Sequence, residues 1–73
     1  MTRVDYIRTN LIELRVQHGL SQEQLARLCG VAQGTISRIE SGANAITLDL
    51  LFKLLQIYKV DLVLTPKKKR GNQ

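Results

Sequence analysis

The sequence of 73 residues leaves room for one domain, and its single cysteine and single histidine exclude an internal disulfide and a zinc site of the usual spacing. A core of this size is marginal by itself, and because we expect no metal and no cofactor, a partner subunit is the remaining source of stability. The net charge is +5, but residues 1–66 hold seven basic and six acidic groups, so charge alone does not indicate nucleic-acid binding.

The sequence contains no apolar run near the roughly 18 residues that span a bilayer, and its N-terminus lacks the layout of a signal peptide. We therefore expect a cytoplasmic protein that does not associate with a membrane. One domain is predicted over residues 1–66. Residues 67–73, which begin with Lys67, Lys68, Lys69 and Arg70, are predicted to form a disordered basic tail, with attraction to DNA phosphates as the alternative.

The first helix is predicted over residues 5–18 from apolar side chains at helical spacing, which are Ile7, Leu11 and Leu14. Gly19 is a suitable residue to end this helix. The second helix begins after Ser21, because Gln24 stands three residues on and can complete a capping box. Its apolar face includes Cys29, which we expect to be a small core residue rather than a reactive thiol.

A third helix is predicted over residues 33–41, with Ile36 and Ile39 facing inward and Gly42 ending the helix. It follows the second helix after only three residues, so the two must cross steeply. That crossing is the helix-turn-helix arrangement, and it leaves the third helix projecting from the body of the domain.

Thr47 is predicted to cap a fourth helix that runs to about Tyr58 and is apolar on more than one face, which in so small a chain favours a dimer contact. Residues 60–65 then alternate in the manner of a strand. The chain has no second strand, so pairing with the same strand of a second subunit is predicted, with an extended tail on the helices as the alternative. The predicted dimer interface consists of Leu54, Ile57, Tyr58, Val60, Leu62 and Leu64.

The outer face of the third helix carries side chains suited to reading bases in the major groove. Gln33 can match adenine with two hydrogen bonds, and Arg38 can do the same for guanine, with a phosphate as the alternative. Ser37 lies one turn after Gln33 and can reach a base edge or a phosphate, and Gly34 would let the backbone come close to the duplex. These four residues are the predicted base contacts, and we call this helix the recognition helix.

Phosphate contacts are predicted around the recognition helix. Ser21 and Gln22 lie at the positive N-terminal end of the second helix, where free amides can bind an anion. Thr35 is expected to meet the DNA backbone, with a thymine methyl as the alternative. Asn44, in the loop after the recognition helix, is the fourth candidate.

The stretch LSQEQLARLCGVAQGTISRIESG, residues 20–42, resembles the helix-turn-helix signature of the Cro/C1 family of lambda and 434 repressors. The resemblance extends over about residues 7–60. It implies an all-α, lambda repressor-like bundle of four to five helices, here with a short C-terminal β-strand that pairs across a dimer. It also implies an ion pair between Arg15 and Glu40. The chain departs from the family pattern at Ala32, where a capping Ser or Thr is common.

Within that family the chain is most similar to HipB-type antitoxins, through the strings GTIS, TLDLLFKLLQ and VDLVLT. This resemblance implies that the strands of two subunits pair and that the dimer represses its own operon at a palindromic operator of double-stranded DNA. It also implies a HipA-like kinase toxin as a protein partner.

Other functions are less well supported by the residues. A free-standing phage-type or restriction-controller regulator with no toxin partner is the alternative within the same family. A pure protein-interaction module fits the uncharged, polar face of the recognition helix poorly. One histidine, one cysteine on an apolar face and no paired carboxylates predict that the protein is not an enzyme.

Overall fold

The computed structural model describes residues 2–66, and the predicted basic tail over residues 67–73 lies outside the described residues. The described part folds into four helices, which are α1 (Arg3–Gln17), α2 (Gln22–Cys29), α3 (Gln33–Ser41) and α4 (Leu48–Tyr58). The predicted helical architecture is thereby confirmed. Among these four helices, none combines the length and the hydrophobicity that crossing a membrane would require.

Side-chain caps start three of the four helices. Thr2 and Asp5 form a capping box at α1, so this helix begins two residues earlier than the apolar pattern predicts. The capping box at Ser21 is present as predicted, and the Thr47 hydroxyl accepts a hydrogen bond from the first turn of α4. At α3 the N-cap is Ala32, which has no side-chain hydrogen bond to give, so the recognition helix starts without this stabilisation.

The core lies where all four helices meet, with Leu25 and Ile36 at its centre, exposed by 1% and 2%. Cys29 belongs to this core, and burial raises the pKa of its thiol, which keeps it protonated and unreactive. The buried residues are Leu11, Leu25, Ala26, Cys29, Ile36, Leu50, Leu51, Leu54 and Tyr58.

Two residues predicted for the dimer interface lie instead in this core. Leu54 and Tyr58 are only 4% and 3% exposed within the single chain, so they offer almost no surface to a second subunit. The apolar stripe of α4 packs against α1 and α2, so the predicted interface is corrected at these two positions, which are covered within the chain. The exposed apolar residues of α4 are Leu48 and Phe52.

The segment after α4 has no regular secondary structure in the part of the chain that is described. The Val60 amide donates to the Leu55 carbonyl at 3.0 Å and closes the helix, and none of the backbone hydrogen bonds among residues 2–66 involves residues 61–66. A strand that pairs with a second subunit has no partner in one chain, so strand pairing stays a prediction.

The Tyr58 hydroxyl is buried and has no hydrogen-bond partner among residues 2–66. An unpaired buried hydroxyl is costly, so Tyr58→Phe should raise the free energy of unfolding by about 1 kcal/mol at neutral pH. Burial, assisted by the nearby charge of Glu40, also raises the pKa of Tyr58 from 10.0 to about 12. Because the folded state then holds this proton more tightly than the unfolded state, stability should fall between pH 10 and pH 12.

Urea unfolding of Tyr58→Phe at pH 7 and between pH 9 and pH 12 measures both effects. Between pH 10 and pH 12 the free energy of unfolding of Tyr58→Phe should fall less than that of the wild type. Tyr6→Phe, which alters a tyrosine that is 54% exposed, is the matched control. A lower stability of Tyr58→Phe at pH 7 would contradict the prediction and indicate that the hydroxyl is hydrogen-bonded.

Candidate nucleic-acid interface

The turn between α2 and α3 sets the direction of the recognition helix. Gly30 takes a left-handed conformation with φ of 72°, which ends α2, and the Val31 amide bonds back to the Ala26 carbonyl at 3.0 Å. The chain then re-enters a helix three residues later. Ile36 anchors α3 in the core, so the opposite face of α3 is left on the surface.

The four predicted base contacts share this outer face, because their positions are one, four and five residues apart. Gln33 and Arg38 are exposed, whereas Gly34 and Ser37 are half-buried. The face therefore offers an amide, a hydroxyl and a guanidinium within two turns of one helix, close to its N-terminal end. These are the groups that can pair with the edges of bases.

Arg15 of α1 and Glu40 of α3 form a bidentate ion pair. Arg15 Nε donates to Glu40 Oε2 at 2.7 Å and Nη2 donates to Oε1 at 3.0 Å, while Nη1 donates to the Leu20 carbonyl at 2.9 Å. The two side chains are 14% and 13% exposed. The hydrogen bonds to Glu40 raise the pKa of Arg15 above its ordinary value. The pair ties α3 to α1 and holds the link that precedes α2.

A chain of hydrogen bonds leads from this ion pair to the outer face of α3. Gln22 Nε2 donates to Glu40 Oε1 at 2.9 Å, and Gln33 Nε2 donates to Gln22 Oε1 at 2.9 Å. Sequence reasoning expected Gln22 to contact a phosphate and gave no sign of these two bonds, because the partners are 18 and 11 residues away. Gln22 thus links the buried charges to the amide that is predicted to read a base.

The remaining predicted phosphate contacts lie around the same face. The Ser21 hydroxyl oxygen accepts from the Gln24 amide at 3.0 Å, which leaves its hydrogen free to donate to a phosphate. Thr35 is half-buried in the first turn of α3. Asn44 is exposed, and its backbone amide donates to the Arg38 carbonyl at 3.1 Å.

Two basic residues that sequence reasoning did not single out also bind the helix ends. Lys53 of α4 donates to the Cys29 carbonyl at 3.2 Å, and its positive charge stabilises the negative C-terminal end of α2. Arg8 pairs with Asp5, and its guanidinium lies against Gly42, with 3.1 Å between Nη1 and the position a Cβ would take there. Local sequence patterns give no signal for the contact of Lys53 with Cys29 or of Arg8 with Gly42, because each depends on how the helices pack.

Comparison with protein families matches this chain to a helix-turn-helix family (HTH_3) over residues 11–64. The match covers α2, the turn, α3 and α4 completely, together with the C-terminal part of α1.

The chain is also similar to individual helix-turn-helix proteins. The chain is 36% identical to the antitoxin HipB of Escherichia coli over 55 residues, which are 75% of this chain and 62% of HipB. It is 51% identical over 45 residues to an uncharacterized helix-turn-helix transcriptional regulator of Haemophilus influenzae, covering 62% of this chain and 46% of that protein. The chain therefore spans less than two thirds of the length of each of these two relatives.

Among solved structures, the fold matches a chain of the HipA–HipB–O2–O3 complex with a TM-score of 0.76 and 29% sequence identity. The superposition covers 93% of this chain and 96% of that chain.

Proposed function

Because this chain belongs to the helix-turn-helix family, we propose that it is a sequence-specific DNA-binding repressor that acts in the cytoplasm, by binding rather than by catalysis. The observation that carries this proposal is the open face of α3, where Gln33, Ser37 and Arg38 are presented together next to the N-terminus of α2. Amide and guanidinium groups at the start of a projecting helix are what major-groove reading requires.

The proposed complex is a twofold dimer on a palindromic operator. Each α3 enters the major groove, and the two helices lie about 34–36 Å apart, one turn of the duplex. Gln33, Gly34, Ser37 and Arg38 meet base edges. Ser21, Gln22, Thr35 and Asn44 meet phosphates, which position the helix without reading sequence. Occupation of the operator then blocks the promoter.

We further propose that the repressor is the antitoxin of a HipA/HipB-like toxin–antitoxin system, which represses its own operon and binds a HipA-like kinase toxin. The identity to HipB and the fold shared with a chain of the HipA–HipB–O2–O3 complex support this role. The alternative is a free-standing phage-type or restriction-controller regulator, and the similarity to the Haemophilus influenzae transcriptional regulator favours it.

DNA binding is tested by fluorescence anisotropy with a labelled duplex from the promoter of the protein's own operon and a random duplex of equal length. At about 150 mM salt, the promoter duplex should bind at least 1,000-fold more tightly than the random duplex, which is the low end of the usual specificity ratio. Equal affinities for the two duplexes would overturn the repressor proposal.

The antitoxin role is tested by purifying the tagged protein together with the untagged product of the neighbouring gene and measuring the native mass by light scattering. A larger protein that co-elutes in a fixed ratio supports the antitoxin. A species of about 17 kDa, twice the 8.3 kDa chain, with no second protein supports the free-standing regulator.

The dimer surface that we propose is the outer face of α4 together with the segment after it. Leu48 and Phe52 stand four residues apart on α4 and are 68% and 55% exposed, and Leu62 and Leu64 are 45% and 88% exposed. A groove joins the two parts, lined by Phe52, Leu55, Gln56, Lys59, Val60, Asp61 and Leu62. The unpaired backbone of residues 61–66 can add a strand ladder to this apolar contact.

Phe52→Glu should convert the dimer into a monomer, because a carboxylate would be buried without a partner at the centre of this contact. Sedimentation equilibrium should give a mass near that of one 8.3 kDa chain at micromolar concentration. Val16→Glu alters a valine of α1 that is exposed to a similar degree, 62% against 55% for Phe52, and should remain dimeric. A dimeric Phe52→Glu variant would contradict the proposed surface.

Truncation after Lys59 separates the two parts of the interface. If strand pairing contributes, the truncated chain should dissociate at higher concentrations than the full chain does. An unchanged dissociation constant would assign the dimer to α4 alone.

A further inference from the structure

The Arg38 guanidinium lies over the first turn of its own helix, against Gly34. A Cβ built at Gly34 would be 3.1 Å from Arg38 Nη1, 3.8 Å from Cζ and 3.9 Å from Nη2, and these are the three nearest atoms. The side chain therefore leans toward the N-terminus of α3, as long helical side chains do. The guanidinium borders the space left by the missing side chain of Gly34, so a Cβ there would require it to shift by a few tenths of an ångström.

Asn44 forms two hydrogen bonds with Arg38. With the amide oriented so that its oxygen faces the guanidinium, Asn44 Oδ1 accepts from Arg38 Nε at 3.1 Å, and the amide nitrogen donates to the Ala43 carbonyl at 3.1 Å. The Asn44 backbone amide also donates to the Arg38 carbonyl at 3.1 Å. Asn44 thus contacts both the main chain and the side chain of Arg38.

Arg38 is exposed, and its Nη1 and Nη2 groups make no hydrogen bond within residues 2–66. Among the same residues no ion pair includes Arg38, and only its Nε donates a hydrogen bond, to Asn44. The Nη1 and Nη2 groups remain available as two parallel donors. A guanine presents two acceptors, O6 and N7, at the matching spacing in the major groove.

We propose that Gly34 and Asn44 are positioning residues that hold Arg38 in the conformation in which its Nη1 and Nη2 groups read a guanine. The proposal rests on the proposed DNA-binding function and names the residues that set specificity at one base pair. Arginine has a large rotamer entropy, and fixing its side chain before DNA binds lowers the entropy lost in the complex. Asn44 then acts through Arg38 in addition to any contact with a phosphate.

The test uses the full-length protein and duplex DNA selected by it from a random pool. Selection with Arg38→Ala identifies the base pair whose preference depends on Arg38, and a second duplex carries a substitution at that pair. Asn44→Ala should weaken binding to the selected duplex about five- to tenfold more than it weakens binding to the substituted duplex, on which only its phosphate contact is lost. In the double variant the two losses should be less than additive, because Asn44 no longer has an Arg38 side chain to position.

Asn10→Ala removes an exposed asparagine side chain from α1 and is the control that should change neither affinity. Equal losses for Asn44→Ala on both duplexes, or additive losses in the double variant, would overturn the proposal and leave Asn44 as a phosphate contact. Failure of the wild-type protein to select any sequence would overturn the DNA-binding function itself, and the two failures are therefore distinguishable.

Gly34→Ala tests the second positioning residue. Alanine favours the helix more than glycine does, so the melting temperature should rise. The new Cβ should shift the guanidinium by a few tenths of an ångström and lower affinity for the selected duplex only. A loss on both duplexes would show that the Cβ meets the DNA backbone and would remove Gly34 from the proposal.

Discussion

Glu40→Ala should lower the free energy of unfolding by about 3 kcal/mol or more, because it leaves the Arg15 guanidinium charged and unpaired at a site that is only 14% exposed. Arg15 would lose two hydrogen bonds at 2.7 Å and 3.0 Å, and Gln22 would lose one at 2.9 Å. A domain of this size has a total stability on the order of 5 kcal/mol. The substitution should therefore remove more than half of the stability and raise the unfolded fraction at 37 °C by about 100-fold.

Urea unfolding at pH 7, followed by circular dichroism, measures this loss. Arg8→Ala breaks a more exposed ion pair, that of Arg8 and Asp5, and should cost less than about 1 kcal/mol. The double variant Arg15→Met, Glu40→Leu removes both charges and should recover much of the stability, since a hydrophobic pair can replace a buried ion pair. A cost below about 1 kcal/mol for Glu40→Ala would contradict the prediction.

Gln33→Ala should weaken operator binding by about 2–6 kcal/mol per dimer and leave binding to random DNA unchanged, since one bidentate pair is worth about 1–3 kcal/mol and is present twice. Gln33 uses one amide hydrogen to bind Gln22 at 2.9 Å. Within residues 2–66 its oxygen and second amide hydrogen have no partner, and these are the two groups that adenine N6 and N7 require. Gln22 thus holds the Gln33 amide in a fixed orientation.

Anisotropy titrations on the operator and on random duplex separate the roles of the two glutamines. Gln22→Ala should weaken binding to both, through its phosphate, and should weaken operator binding further because the Gln33 amide is released. Gln17→Ala, at an exposed glutamine of α1, is the matched control. Equal losses for Gln33→Ala on both DNAs would refute its role as a base contact.

Much of the architecture could be predicted because its signals are local. The capping box at Ser21, the glycines that end helices and the period of the apolar residues place all four helices within two residues of their observed bounds. The same signals identify the outer face of α3. Each of these features depends on side chains within about one helical turn of one another, which is the range over which sequence patterns carry information.

The sequence by itself therefore determined the helices, the helix-turn-helix and the side chains that face outward on α3. Tertiary packing alone decided two matters: that Leu54 and Tyr58 belong to the core, and that Gln22 joins Glu40 to Gln33. The pattern of an apolar face does not predict which neighbour covers it. Nor does the identity of a polar side chain predict which distant partner the packing of the helices brings within 3 Å. Both are consequences of how four helices share one small core.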